Sequence, residues 1–162
     1  MTIMGIDPGT ARVGWAIVEV SGGTIHALAF GCITTPTDQS PEMRLVTIHS
    51  QLTEILIDYK PKNLALEDLF FATNAKTVIP VGEARGVVLL AAAQQRIPVV
   101  SYSPRAVKRA IAGDGTADKA QVTRMVVRLL HLDTPPKPDD TADALAIALT
   151  HAYSYKLKEK IA

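Results

Sequence analysis

The chain has 162 residues, 48% of them apolar, and a formal net charge of +1. That composition predicts one globular domain with a real core and excludes a disordered chain, and so small a net charge makes no global case for nucleic-acid binding. The longest apolar run, Val87 to Ala93, is too short to cross a bilayer, Arg12 argues against a signal peptide, and the one cysteine, Cys32, excludes an internal disulfide or cysteine-based zinc site and suits a reducing cytoplasm.

In chain order, Ile3 to Ile6 is a short apolar run that ends in Asp7-Pro8-Gly9-Thr10. It reads as a strand buried on both faces, closed by a turn, with a carboxylate at its end. A carboxylate in apolar surroundings is costly unless it is paired or binds a cation; otherwise Asp7 only caps its own turn. Arg12 to Val20 is strand-like, Ser21-Gly22-Gly23 reads as a hairpin turn, and Thr24 to Thr34 is a third strand, with Cys32 a small core residue. Ser40 and Pro41 then have the order of an N-cap and a first helical residue. Leu45, Ile48, Leu52, Ile55 and Leu56 recur at helical spacing, giving a helix to Tyr59 that Pro61 stops.

Asn63 to Leu66 repeats the pattern of the first strand: an apolar run followed by an acid, Glu67. A helix is expected from Asn74 to Arg96, disturbed at Pro80, then a strand over Ile97 to Ser101. Ser103-Pro104 opens a short helix ending at Gly113, and Asp118 to His131 is a further helix with Val122, Met125, Val126, Leu129 and Leu130 on one face. After a proline-rich loop the last helix begins at Asp139. The expected layout is residues 1–155 as a single domain and 156–162 as a basic tail. Three strands in hairpin order, then strands alternating with helices, predict an α/β fold: a mixed sheet with its first three strands antiparallel and helices on both faces.

Asp140 and Asp143 lie three apart on one face of the last helix, beside the apolar stripe of Ala142, Leu145, Ala146 and Leu149. Capping and the helix dipole explain Asp139 and, acceptably, Asp140, but not Asp143 a full turn in. Like charges this close need something positive between them. Four carboxylates (Asp7, Glu67, Asp140, Asp143) without a His or Cys cluster suit a hard cation, Mg²⁺ with Mn²⁺ as a substitute, and are enough for two ions. Two ions about 3.5–4 Å apart can activate water and stabilise the leaving oxygen of a phosphodiester. Between Arg105 and Arg128 six bases face two acids, so the stretch holding Arg105, Lys108, Arg109 and Lys119 is the expected DNA-binding surface.

An ordered set of motifs extends this reading. They are Gly5 to Thr10; Glu67 with Phe70, Phe71 and Asn74; Gly82-Glu83-Ala84-Arg85-Gly86; Tyr102-Ser103-Pro104 with Val107-Lys108; Gly113-Asp114-Gly115 with Ala117 and Lys119-Ala120-Gln121-Val122; and Asp140 to Ala146. Together they resemble the RuvC family of Holliday junction resolvases over nearly the whole chain. The resemblance implies a ribonuclease H-like fold with a five-stranded sheet and a homodimer that grips four-way junction DNA. Each subunit would nick one of two symmetry-related strands in recombination and repair, served by a branch-migration complex of the RuvA and RuvB type. The four acidic ligands map to Asp7, Glu67, Asp140 and Asp143, though Asp139 and Asp143 also share a helix face. Asp68 is left outside, because consecutive strand residues point opposite ways.

Lys119 and Lys108 match family lysines near the scissile phosphate, where an ammonium offsets developing charge; each also fits a solvated helix face or ordinary backbone contact. Phe70 is expected to stack on an unpaired base at the crossover while Phe71 packs. Gly82 and Gly86, with Ala93 on the same stripe, permit a close helix approach, either at the dimer interface or onto the protein's own sheet. The histidines show no ligand spacing, and His151 is read as a helix-end residue. Competing readings are another ribonuclease H-like nuclease, an actin-like nucleotide-binding protein suggested by Asp7 to Thr10, and a junction-binding scaffold without catalysis.

Overall fold

The computed structural model describes residues 1–69 and 75–161, with side chains excluded at 75–77 and 156–161. Five strands, β1 (Thr2–Asp7), β2 (Arg12–Ser21), β3 (Thr24–Thr34), β4 (Asn63–Glu67) and β5 (Val99–Tyr102), form one sheet in the order β3-β2-β1-β4-β5. β1, β2 and β3 pair antiparallel, whereas β4 and β5 join parallel to β1 and to each other. Among the described residues there are five helices: α1 (Pro41–Tyr59), α2 (Ala75–Gln94), α3 (Pro104–Ala112), α4 (Lys119–Leu129) and α5 (Asp139–Ile161). The mixed sheet expected from the hairpin order, with helices on both faces, is the sheet observed. Among the described residues no helix is long and apolar enough to cross a membrane.

Strand alternation divides the core in two. Met4, Ile6, Val13, Ile17, Leu64 and Leu66 pack under α1 and α2, whereas Ile3, Ala16, Val18 and Ala65 pack under α5 and, beyond it, α3 and α4. The odd-numbered positions of β1 and β4 therefore all face α5. Asp7 and Glu67 are the last residues of those two strands, and they inherit that face.

Helix α5 lies flat on the sheet because two strand residues there have no side chain. A Cβ on Gly5 would collide with the Ala144 carbonyl and with Ala148, and one on Gly14 would collide with the Asp140 backbone. From Ala142 to Ala152 most of the helix is buried, since the sheet covers one side and α3 and α4 the other.

Local signals behave as their chemistry requires, with some exceptions. Gly22 and Gly23 both take positive φ between the paired Ser21 and Thr24, forming the two-residue hairpin turn. The Ser103 hydroxyl accepts from Ala106 N and caps α3. Ser40 sits at the N-cap of α1 but makes no cap hydrogen bond, its hydroxyl being engaged with Glu42. α2 runs unbroken through Pro80, and its described part ends at Gln94. Its buried face carries Ala84, Val88, Ala91 and Ala92, while Ile79, Gly86, Leu90 and Ala93 point outward. That orientation answers the alternative left by the glycine spacing: Gly86 does not serve packing on its own sheet. Cys32 is half-buried on the edge strand β3 rather than in the core. His151 is a correction to the sequence reading. It lies in the body of α5, buried, with the Tyr102 hydroxyl 2.8 Å from its Nδ1. Phe70, Phe71 and Asn74 lie outside the described residues.

The two kinds of glycine make opposite predictions. Gly5→Ala should cost about 3 kcal/mol or more of unfolding free energy, because the collision is with helix backbone that cannot rotate away. Gly86→Ala, where no described atom lies within 4 Å of the new methyl, should instead stabilise by up to about 1 kcal/mol through helix propensity. Urea denaturation of the two variants beside the parent chain checks both signs.

Candidate active site

The site is assembled from strand ends and a helix start. β1 and β4 are adjacent and parallel, with Ile6 opposite Leu66, so Asp7 and Glu67 emerge side by side at the carboxyl edge of the sheet. The first turn of α5 descends onto the same edge, where Asp140 sits over Gly14, itself the pairing partner of Asp7. Asp140 and Asp143 thus come down from one side toward the two strand-end acids on the other.

Electrostatics show how tightly the four are gathered. Burial raises Asp7 from its ordinary value of 3.8, and the charges of Glu67, Asp143 and Asp140 push it further, to about 8; Lys119 opposes them. Burial, then the charge of Asp143, raises Glu67 from 4.5 to about 7, against the pull of Lys108 and Lys119. Asp143 is also raised by burial, although its contact with Lys119 works the other way. Of the tandem aspartates, Asp140 sits over Gly14 and its charge acts on Asp7, whereas the Asp139 side chain is 77% exposed and lies 3.9 Å from Lys119.

Cations flank the acids. Lys119 is the first residue of α4, held there by a reciprocal cap in which Asp118 Oδ1 accepts from Gln121 N and Gln121 Oε1 accepts from Asp118 N. Its Nζ lies 2.8 Å from Asp143 Oδ2 and 3.9 Å from Asp139 Oδ2. Partial burial disfavours this ammonium, and a helix N-terminus disfavours any cation. The hydrogen bond to Asp143 and the charges of Asp143, Asp139 and Asp7 outweigh that, so its pKa is raised. Lys108, with Lys119, Glu67 and Asp143, lines a cavity of about 250 Å³ floored by Val107, Val122, Ala146 and Ile147. Arg105 and Arg109 are brought elsewhere: they lie exposed on α3, one turn apart, with the Arg105 stem against Gly115.

Two basic residues of this region carried no role in the sequence reading. Arg12 Nη1 lies 3.8 Å from Asp140 Oδ2. Arg85, from the opposite face, donates its Nε to the Glu67 carbonyl at 3.4 Å and its Nη2 to Ser101 Oγ at 2.8 Å, and pairs with Asp68 at 3.5 Å. Asp68 thus points away from the cluster, as strand alternation requires. The signal that could have placed Arg12 is parity: it is two residues before Gly14 on β2 and so shares the α5 face.

Among the described residues no three acidic, histidine or cysteine side chains already form a closed metal cage. The donor set nevertheless fits a hard divalent cation. It is all carboxylate, and burial, with repulsion from the neighbouring acids, holds Asp7 and Glu67 back from ionising.

A profile of the crossover junction endodeoxyribonuclease RuvC family matches residues 3–151. The chain is 51% identical over 152 residues to the crossover junction endodeoxyribonuclease RuvC of Moorella thermoacetica, covering 94% of this chain and 91% of that one. It is 48% identical over 160 residues to the protein of the same description from Halothermothrix orenii, with 99% and 97% covered. Among solved structures, Thermus thermophilus RuvC in complex with a Holliday junction substrate superposes with a TM-score of 0.92 at 38% identity, covering 98% of this chain and 96% of that one.

The raised carboxyl pKa values carry a sign that can be measured. Below about pH 4 both the folded and unfolded chains hold these protons. Between there and about pH 8 the unfolded chain has released them while the folded site retains them, so stability falls as pH rises through that window. In EDTA, Asp7→Asn should come nearest the parent's melting temperature at about pH 4. At pH 8.5 it should exceed it by roughly 10 °C or more, at about 1.4 kcal/mol per pKa unit and about 2–4 °C per kcal/mol for a domain of this size. A difference independent of pH would contradict the assignment.

Proposed function

The chain belongs to the RuvC family of crossover junction endodeoxyribonucleases, and on that premise we propose that it resolves four-way DNA junctions by metal-dependent hydrolysis of two symmetry-related phosphodiesters. One observation carries the reading. Four acids from β1, β4 and α5 converge at one sheet edge, in a chain similar over nearly its whole length to a RuvC solved with a Holliday junction substrate.

In this reading Asp7, Glu67, Asp140 and Asp143 hold Mg²⁺, two ions per subunit, with Mn²⁺ able to substitute. When bound, the ions supply an activated water and charge stabilisation at the phosphate. The protein's own groups do the rest. Glu67 and Asp7 are fixed by the sheet and cannot retreat from each other, so their oxygens are held in place for the cations. Lys119 trades its carboxylate partners for the phosphoryl oxygens as charge builds on them, and Lys108 assists from the same cavity. Val107, Val122 and Ile147 make one wall apolar, which strengthens each of these charge interactions.

Residues 1–155 act as the nuclease domain and 156–162 as a basic tail. Arg105 and Arg109 belong to the DNA-facing surface beyond the site, and Phe70 is assigned to stack on a base at the crossover. The outward face of α2, with Ile79 and Leu90 64% and 52% exposed around Gly86, supports a homodimer formed through that helix. A branch-migration complex of the RuvA and RuvB type is the proposed upstream partner, and the cytoplasm the proposed location.

The test is nicking of a synthetic four-way junction with Mg²⁺ present and absent. Cleavage should require the ion and should fall at symmetry-related positions. Asp7→Asn should lower the rate by at least about 10³-fold while junction affinity stays within about threefold, since the acids carry the chemistry and the basic surface the affinity. Loss of both together would contradict that division. Lys119→Ala should slow cleavage by about 10²-fold, more than it weakens binding, and an unchanged single-turnover rate would remove its assigned role.

A further inference from the structure

The positive charge around the acids is distributed on two sides. Lys108 and Lys119, from α3 and α4, line one cavity with Glu67 of β4 and Asp143, a cavity that neither Asp7 nor Arg12 lines. Arg12, the first residue of β2, stands on the other side of Asp7, two residues beyond Gly14, the residue that pairs with Asp7. A DNA strand crossing the sheet edge with its reacting phosphate over the acids meets the two lysines on one flank and β2 on the other.

The contact Arg12 makes does not account for its presence as a stabilising device. Its guanidinium lies 3.8 Å from Asp140 through one nitrogen, and the side chains are 58% and 30% exposed. An ion pair that long and that wet contributes little. Among the described residues Arg12 is thus a cation held loosely at the mouth of the site, paired through one nitrogen of its planar fork. Such a fork matches two oxygens of a phosphate better than an ammonium does. The neighbouring groups on that flank, Cys32 and Thr34 of β3, offer no competing charge, and Cys32 senses both Asp140 and Arg12.

We propose that Arg12 is a phosphate-binding residue of this site. It rests on Asp140 in the free protein, and when cations occupy the carboxylates it turns to a backbone phosphate of the cut strand on the β2 flank. This rests on the junction-nuclease reading and adds a residue to it. A divalent cation bound at the carboxylates would replace the guanidinium as the partner of Asp140, which would leave Arg12 free for DNA charge. Lys119 does the same with Asp143 on the opposite flank, so the strand is held from both sides.

The test uses the full chain carrying Asp7→Asn, which should not cut, and a fixed-sequence four-way junction in Mg²⁺ over a salt series. Adding Arg12→Gln should weaken binding about 3–10-fold and reduce the slope of log K against log salt by about one. Arg12→Lys should restore the slope but only part of the affinity, because it returns the charge without the fork. Without DNA and with Asp7 intact, Arg12→Gln should tighten Mn²⁺ binding about 2–5-fold by calorimetry, since the competing cation is gone. If the Asp7→Asn chain binds and Arg12→Gln changes neither affinity nor slope, Arg12 is only a surface partner of Asp140. Unchanged or weaker Mn²⁺ binding overturns the resting contact. A chain carrying Asp7→Asn that binds no junction overturns the function reading as well.

Discussion

The contact between α5 and the β1–β2 pair is closest at two points where the strands carry no side chain. Gly5 and Gly14 leave room for the backbone of α5 at Ala144 and Asp140. A methyl group at either position would lift the helix, and with it the two aspartates of its first turn. The acids then could not share a space with Asp7 and Glu67, whose positions the hydrogen-bonded ladder fixes. The chemistry of the site thus depends on an absence of side-chain volume two and seven residues from Asp7.

That contact forces like charges together, and the fold must hold them there. Two apolar layers do so, one under α1 and α2 and one under α5, α3 and α4. The result is a site whose carboxyls keep protons at a pH where free carboxyls would not. Perturbation of this kind is what a waiting cation site and a strained structural cluster share. The flanking bases separate the two. Lys119 sits at a helix N-terminus against the dipole, held by its cap and by the acids it faces, an arrangement that favours substrate charge over stability.

The two faces of the sheet divide the work. The α5 face carries the acids and the cations that flank them, together with the exposed arginines of α3. The other face buries its inner side against α1 and α2 and leaves an outward apolar stripe on α2. Arg85 links the faces, reaching from α2 to the Glu67 carbonyl and to Ser101. A strand-end acid is thereby tied to the helix that carries the proposed dimer contact.

Much of this was legible in the chain. The apolar runs before Asp7 and Glu67, the hairpin glycines, and the three-residue step from Asp140 to Asp143 are local patterns, and local periodicity determines which residues share a face. The sequence alone therefore determined the strand order of the first three elements, the acids, and the ordered motifs of the family. What it left open concerns distant partners. Only tertiary structure set Asp140 over Gly14 and left Asp139 exposed, turned Gly86 outward, buried His151 in mid-helix, and brought Arg12 to Asp140. The physical reason is common to all four: a residue's face follows from spacing, but what that face meets follows from how closely two backbones approach. Here that approach is decided by two glycines whose neighbours lie more than a hundred residues away.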